Sequence, residues 1–106
     1  MKKYITHAAA IAVVVFFASL AGLAQPGADT YKAKCQMCHG ATGLGDTPAG
    51  KAMKAHPFNS PDVLKQSDAD LLTVIKSGKN KMPAFNGKLT PAQMDDTLAF
   101  VHTLQK

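Results

Sequence analysis

Two cysteines and a histidine stand together at Cys35-Gln36-Met37-Cys38-His39, and the 106-residue chain has no other cysteine. The spacing is Cys-x-x-Cys-His, which attaches a c-type haem. Each part of that chemistry needs its own residue. Two thiols add across the two vinyl groups of the macrocycle and become thioethers. Two intervening residues put both sulfurs on one side of a helical turn, about as far apart as neighbouring vinyls. The imidazole of the next residue then lies beneath the ring and binds the iron. Three other readings of the pair are weaker. A thioredoxin-type dithiol wants a βαβ context and no histidine. Structural zinc wants four ligands, usually two such pairs, and beyond the motif and the N-terminal His7 only His56 and His102 remain. A disulfide between Cys35 and Cys38 would be strained and would close almost no loop.

A His-ligated iron leaves one axial position, and its occupant separates an electron carrier from an oxygen, peroxide or gas site. The candidates are Met37, Met53, Met82, Met94, His56 and His102. Met37 lies between the cysteines and cannot reach the far face. Met94 is on the apolar stripe of a helix, where a core role is the ordinary one, and His102 shares that helix. Met53 and His56 follow a glycine-rich loop and stay open. Met82 immediately precedes Pro83, which keeps it extended and stops the loop curling into helix. Forty-three residues separate it from His39, enough to pass round a haem edge. We therefore expect His39 and Met82 as the metal ligands, with Cys35 and Cys38 holding the cofactor.

These residues need elements to position them. Lys2 and Lys3, the apolar run Ile5–Leu23 and the small residues Gly22 and Ala24 read as a secretory signal peptide over 1–24. The competing reading is an uncleaved anchor, for which the run is borderline, since a span needs about 20 apolar residues. Either places the domain, residues 25–106, outside the cytoplasm. Those 82 residues are few for an unsupported core. A covalent haem would supply an apolar plate for short helices to pack around. Without Lys2 and Lys3, ten lysines face seven aspartates, a net of +3, and the chain has neither arginine nor a dense basic run. That excludes bidentate phosphate recognition and a nucleic-acid function.

Asp29 or Thr30 caps a first helix that runs into Cys35–His39, with Tyr31 four residues before Cys35 on the same face. Residues 41–50 hold three glycines and Pro48 and read as loop. Lys51–His56 is one helical turn stopped by Pro57. Ser60 and Pro61 open a turn. Ser67 caps a firmer helix with Leu71, Leu72 and Ile75 on its apolar face, ended by Gly78. Residues 78–89 are loop. Thr90-Pro91-Ala92-Gln93 starts the last helix with a capping box, and Met94, Leu98 and Val101 form its stripe. No segment alternates as a strand does. The expectation is an all-α domain of three to five short helices around one covalently bound haem c.

The residues also carry a resemblance. Residues 27–39, ending in the haem motif, and Gly78-Lys79-Asn80-Lys81-Met82-Pro83-Ala84-Phe85 followed by Gly87-Lys88-Leu89 resemble the first helix and the methionine loop of class I cytochromes c, in the short c6/c553-like group. The resemblance covers nearly all of residues 27–106. It implies Cys35, Cys38, His39 and Met82 in the roles above, a Pro48 carbonyl bonded to the far nitrogen of His39, and Gly27 and Phe100 where the first and last helices cross. It implies a periplasmic or otherwise exported one-electron carrier, soluble after cleavage, and not an enzyme. Its partners would be transient redox proteins, respiratory or photosynthetic, with membrane complexes as donor or acceptor and no small-molecule substrate. Lys76, Lys79, Lys81 and Lys88 flank the methionine loop and could steer an acidic partner. The alternatives are a haem subunit anchored to a membrane oxidase or dehydrogenase, or a haem enzyme or sensor with a labile sixth ligand. For the last, the chain supplies no evident distal acid–base pair.

Overall fold

Three helix starts pair a hydroxyl residue with a proline, at Thr47-Pro48, Ser60-Pro61 and Thr90-Pro91. The computed structural model describes residues 26–106; the expected signal peptide, residues 1–24, lies outside them. Among the described residues six helices follow one another: α1 (Pro26–Lys34), α2 (Gln36–His39), α3 (Pro48–Ala52), α4 (Pro61–Leu64), α5 (Asp68–Ser77) and α6 (Pro91–Thr103). The all-α expectation holds. The number exceeds five because α2 and α4 are single four-residue turns.

The α1 helix begins at Pro26, earlier than a cap at Asp29 or Thr30. Proline suits a first turn, and Asp29 complements the helix dipole from within that turn. Only a small break at Cys35 divides α1 from α2, since Cys35 N–H still donates to the Tyr31 carbonyl at 2.8 Å and His39 N–H to the Cys35 carbonyl at 3.0 Å. A Cβ on Gly27 would run into the Asp96 carbonyl of α6, so glycine permits the crossing of first and last helices. Phe100 meets Tyr31 beside that crossing, ring centroids 5.0 Å apart.

The segment expected to be loop over 41–50 instead ends in α3. Thr47 is its N-cap: the hydroxyl accepts from Gly50 N–H at 2.9 Å and lies 2.6 and 3.1 Å from the Met37 and Cys38 carbonyls. Gly50 is here a point of close contact, because a Cβ would collide with the Cys38 carbonyl. One residue thus caps α3 and docks it on the haem motif.

The second half matches its caps closely. Ser67 Oγ accepts from Asp70 N–H at 3.1 Å, and Thr90 and Gln93 exchange both bonds of the capping box at 3.1 and 2.9 Å. The loop between α5 and α6 is tied back to α5, with Phe85 N–H on the Ile75 carbonyl and Asn86 N–H on the Lys76 carbonyl. The buried apolar side chains are Tyr31, Phe85, Leu89, Met94, Leu98 and Val101. Among the described residues no helix is long and apolar enough to cross a membrane.

Candidate haem site

One cleft of about 940 Å³ runs through the structure, and Cys35, Cys38, His39 and Met82 all line it. Its size is at the upper end for cofactor sites. Leu71, Val74 and Ile75 from α5, Phe85 from the following loop, and Leu98 and Val101 from α6 give it apolar walls. The two thiols are free and half-buried. Burial pushes the Cys35 thiol up to about 11, with Cys38 beside it adding to the effect. Among the described residues no three His, Cys, Asp or Glu side chains converge as they would around a bare ion. Paired thiols and an imidazole opening on a large apolar cleft are the donor set of a covalently held macrocycle.

His39 sits at the end of α2, where the hydrogen bonds about Cys35 keep the motif in helical turns. Burial lowers its pKa, favouring the neutral imidazole that binds metal. The expected bond from Pro48 is not formed: His39 Nδ1 is buried and has no hydrogen-bond partner among the described residues. Thr47, not the Pro48 carbonyl, joins α3 to the motif. What touches the imidazole is the Phe58 ring, stacked at 4.6 Å with 25° between planes. Phe58 was not legible as a site residue, since an aromatic in a turn between Pro57 and Asn59 carries no periodic signal.

The methionines separate by exposure. Met37 is 76% exposed and Met53 49% exposed, although both border the cleft. Met94 is 1% exposed, locked in a cluster with Phe85 and Leu89. Met82 is half-buried, packs against that cluster and faces the cleft. Its backbone is pinned by paired bonds with Lys79, 2.9 and 3.2 Å long. His56 borders the cleft but is exposed, and His102 is engaged by Asp68 and Gln105 outside it.

Comparison with known proteins agrees with this geometry. The family model described as cytochrome C oxidase, cbb3-type, subunit III, matches residues 22–101. Cytochrome c6 of Thermostichus vulcanus is 32% identical over 95% of this chain and 91% of its own length. Cytochrome c6 of Gloeothece citriformis is 33% identical over 95% of this chain and 93% of its own. The solved structure of KustC0563 c-type cytochrome superposes with a TM-score of 0.69 at 29% identity, covering 76% of this chain and 98% of that one. A helical fold built round a Cys-x-x-Cys-His cleft, with relatives that match almost end to end, places the chain in the class I cytochrome c family, in its c6-like group, as a mono-haem electron-transfer protein with covalently bound haem c.

Proposed function

We propose that Cys35 and Cys38 would hold haem c covalently, that His39 and Met82 would bind its iron, and that the protein is an exported one-electron carrier and not an enzyme. The observation that carries this reading is the shared cleft: Met82 is the half-buried methionine among those that line it. Bound haem supplies a one-electron Fe(III)/Fe(II) couple. The chain's residues tune and protect that couple. Thioether and imidazole ligation gives a higher potential than stronger donor pairs, and the apolar walls from α5 and α6 exclude water and disfavour the extra ferric charge. Lys76, Lys79, Lys81 and Lys88 are all exposed around the methionine loop, where they would steer an acidic redox protein into a small, brief contact. Residues 1–24 would direct export and then be removed.

A second reading follows from the family model, whose description is of an oxidase subunit. In it the chain would remain attached to a membrane complex that it serves. Intact mass of the protein recovered from its native host separates the two, since a chain beginning at Gln25 supports the free carrier and a retained N-terminus supports the subunit.

Visible spectra of the protein, matured in a host that attaches c-type haem, test the ligands. A low-spin reduced spectrum with the weak oxidised band of sulfur on iron is expected. Met82→Ala should lower the potential and open a site for carbon monoxide; unchanged spectra would remove Met82 from the iron.

A further inference from the structure

We propose that Phe58 is a positioning residue that sets the plane of the His39 imidazole, and so the orientation of the axial ligand. The inference rests on the reading of His39 as that ligand. A ligating histidine ordinarily has its ring fixed by a hydrogen bond from the nitrogen that does not face the metal. Here His39 Nδ1 is buried and has no such partner among the described residues. The Phe58 ring instead lies nearly parallel to the imidazole, with centroids 4.6 Å apart and 25° between the planes. Stacking of this kind is directional as well as apolar.

Phe58 is itself held on several sides. Its N–H donates to the Gly43 carbonyl at 2.9 Å, and its carbonyl accepts from Gln105 Nε2 at 3.1 Å. A Cβ on Gly43 would lie 2.5 Å from the Phe58 ring, so glycine there makes room for it. Tyr31 meets the ring edge-on, with centroids 6.2 Å apart. These contacts span the first loop, α1 and the C-terminal end. The aromatic plane is therefore fixed by the fold, and the imidazole takes its orientation from that plane.

The test compares haem-loaded wild type with Phe58→Leu, which keeps an apolar side chain but removes the stack, and Phe58→Tyr, which keeps it. The readouts are the paramagnetically shifted haem methyl resonances of the oxidised protein and the electron paramagnetic resonance g values. Both report the imidazole plane rather than stability. The Leu variant should shift the methyl pattern and the largest g value while staying low-spin, and the Tyr variant should restore both. A low-spin wild type whose Leu variant keeps the wild-type pattern overturns the inference alone. A wild type that is not low-spin overturns the ligand reading and the inference with it. Gln105→Ala covers the case in which the Leu variant does not fold. By freeing the Phe58 carbonyl it should move the same resonances in the same direction by less, and an unmoved pattern counts against the proposal.

Discussion

Tyr31 closes the haem motif at the level of a single bond. Its hydroxyl donates to the Gly40 carbonyl at 2.5 Å, from before Cys35 to just after His39, in a fully buried setting. Tyr31→Phe removes that bond and leaves the carbonyl with its 3.2 Å bond from Gly43 N–H, so it should cost about 0.5–1.5 kcal/mol. Chemical denaturation of the haem-loaded protein would measure it. The same burial is the larger cause that raises the phenol to about 12 from its ordinary 10, and Cys35 adds to it only while its thiol is free. A raised pKa means that, between the two values, the native state holds a proton the unfolded state has lost. Tyr31 therefore contributes full stability below pH 10, and that contribution falls between pH 10 and 12. The Phe variant should lack this part of the alkaline decline; parallel pH profiles for the two proteins would show that Tyr31 is not its source.

The helices depend on a few hydroxyls and one histidine. Ser67→Ala and Thr90→Ala each remove a side-chain bond to a helix start and should cost about 1 kcal/mol. For a domain of this size that lowers Tm by about 4–8 °C. His102, near the end of α6, lies 2.6 Å from Gln105 Oε1 and 2.8 Å from Asp68 Oδ1 in the first turn of α5. Gln105 first, and then Asp68, raise its pKa. The clasp therefore contributes fully below the ordinary histidine value and is lost as pH rises through the raised one. Proton resonance titration should show His102 above the ordinary value, and Asp68→Asn should bring it down; an unchanged His102 titration in that variant would mean the two do not interact in solution. Both α5 and α6 were legible in the sequence, since Ser67 and the Thr90–Gln93 box announce them and their apolar stripes have a helical period. The start of α3 was hidden because Gly43, Gly45 and Gly50 read as breakers, so the turn expected over Lys51–His56 caught only its last two residues, whereas Gly50 serves a contact with the Cys38 carbonyl. That kind of contact is tertiary and leaves no local pattern. The Cys35–His39 motif was plain because covalent chemistry demands one spacing, while the Phe58 stack depends on a distant turn meeting the end of α2.

At the scale of the whole molecule the described domain has only six apolar side chains that are truly buried, and a cleft of about 940 Å³ lies among its helices. Small chains bury a low fraction of their surface, and a core of this size leaves little margin against chain entropy. The α5 face shows the gap most directly. Leu71, Val74 and Ile75 line the cleft and are only half-buried, so a bound macrocycle would complete their burial. Filling such a space removes apolar surface from water from several elements at once, which couples α1, α5 and α6 through one group. The cofactor should accordingly be part of the fold's stability as well as its redox centre. Replacing both cysteines, Cys35→Ala with Cys38→Ala, removes the covalent attachment while leaving every cap and helix crossing in place. Calorimetry of that variant without haem should show no cooperative transition, or one far below that of the haem-loaded protein. A sharp transition near the wild-type Tm would mean that the six-residue core suffices and that the cleft is held open by the protein alone.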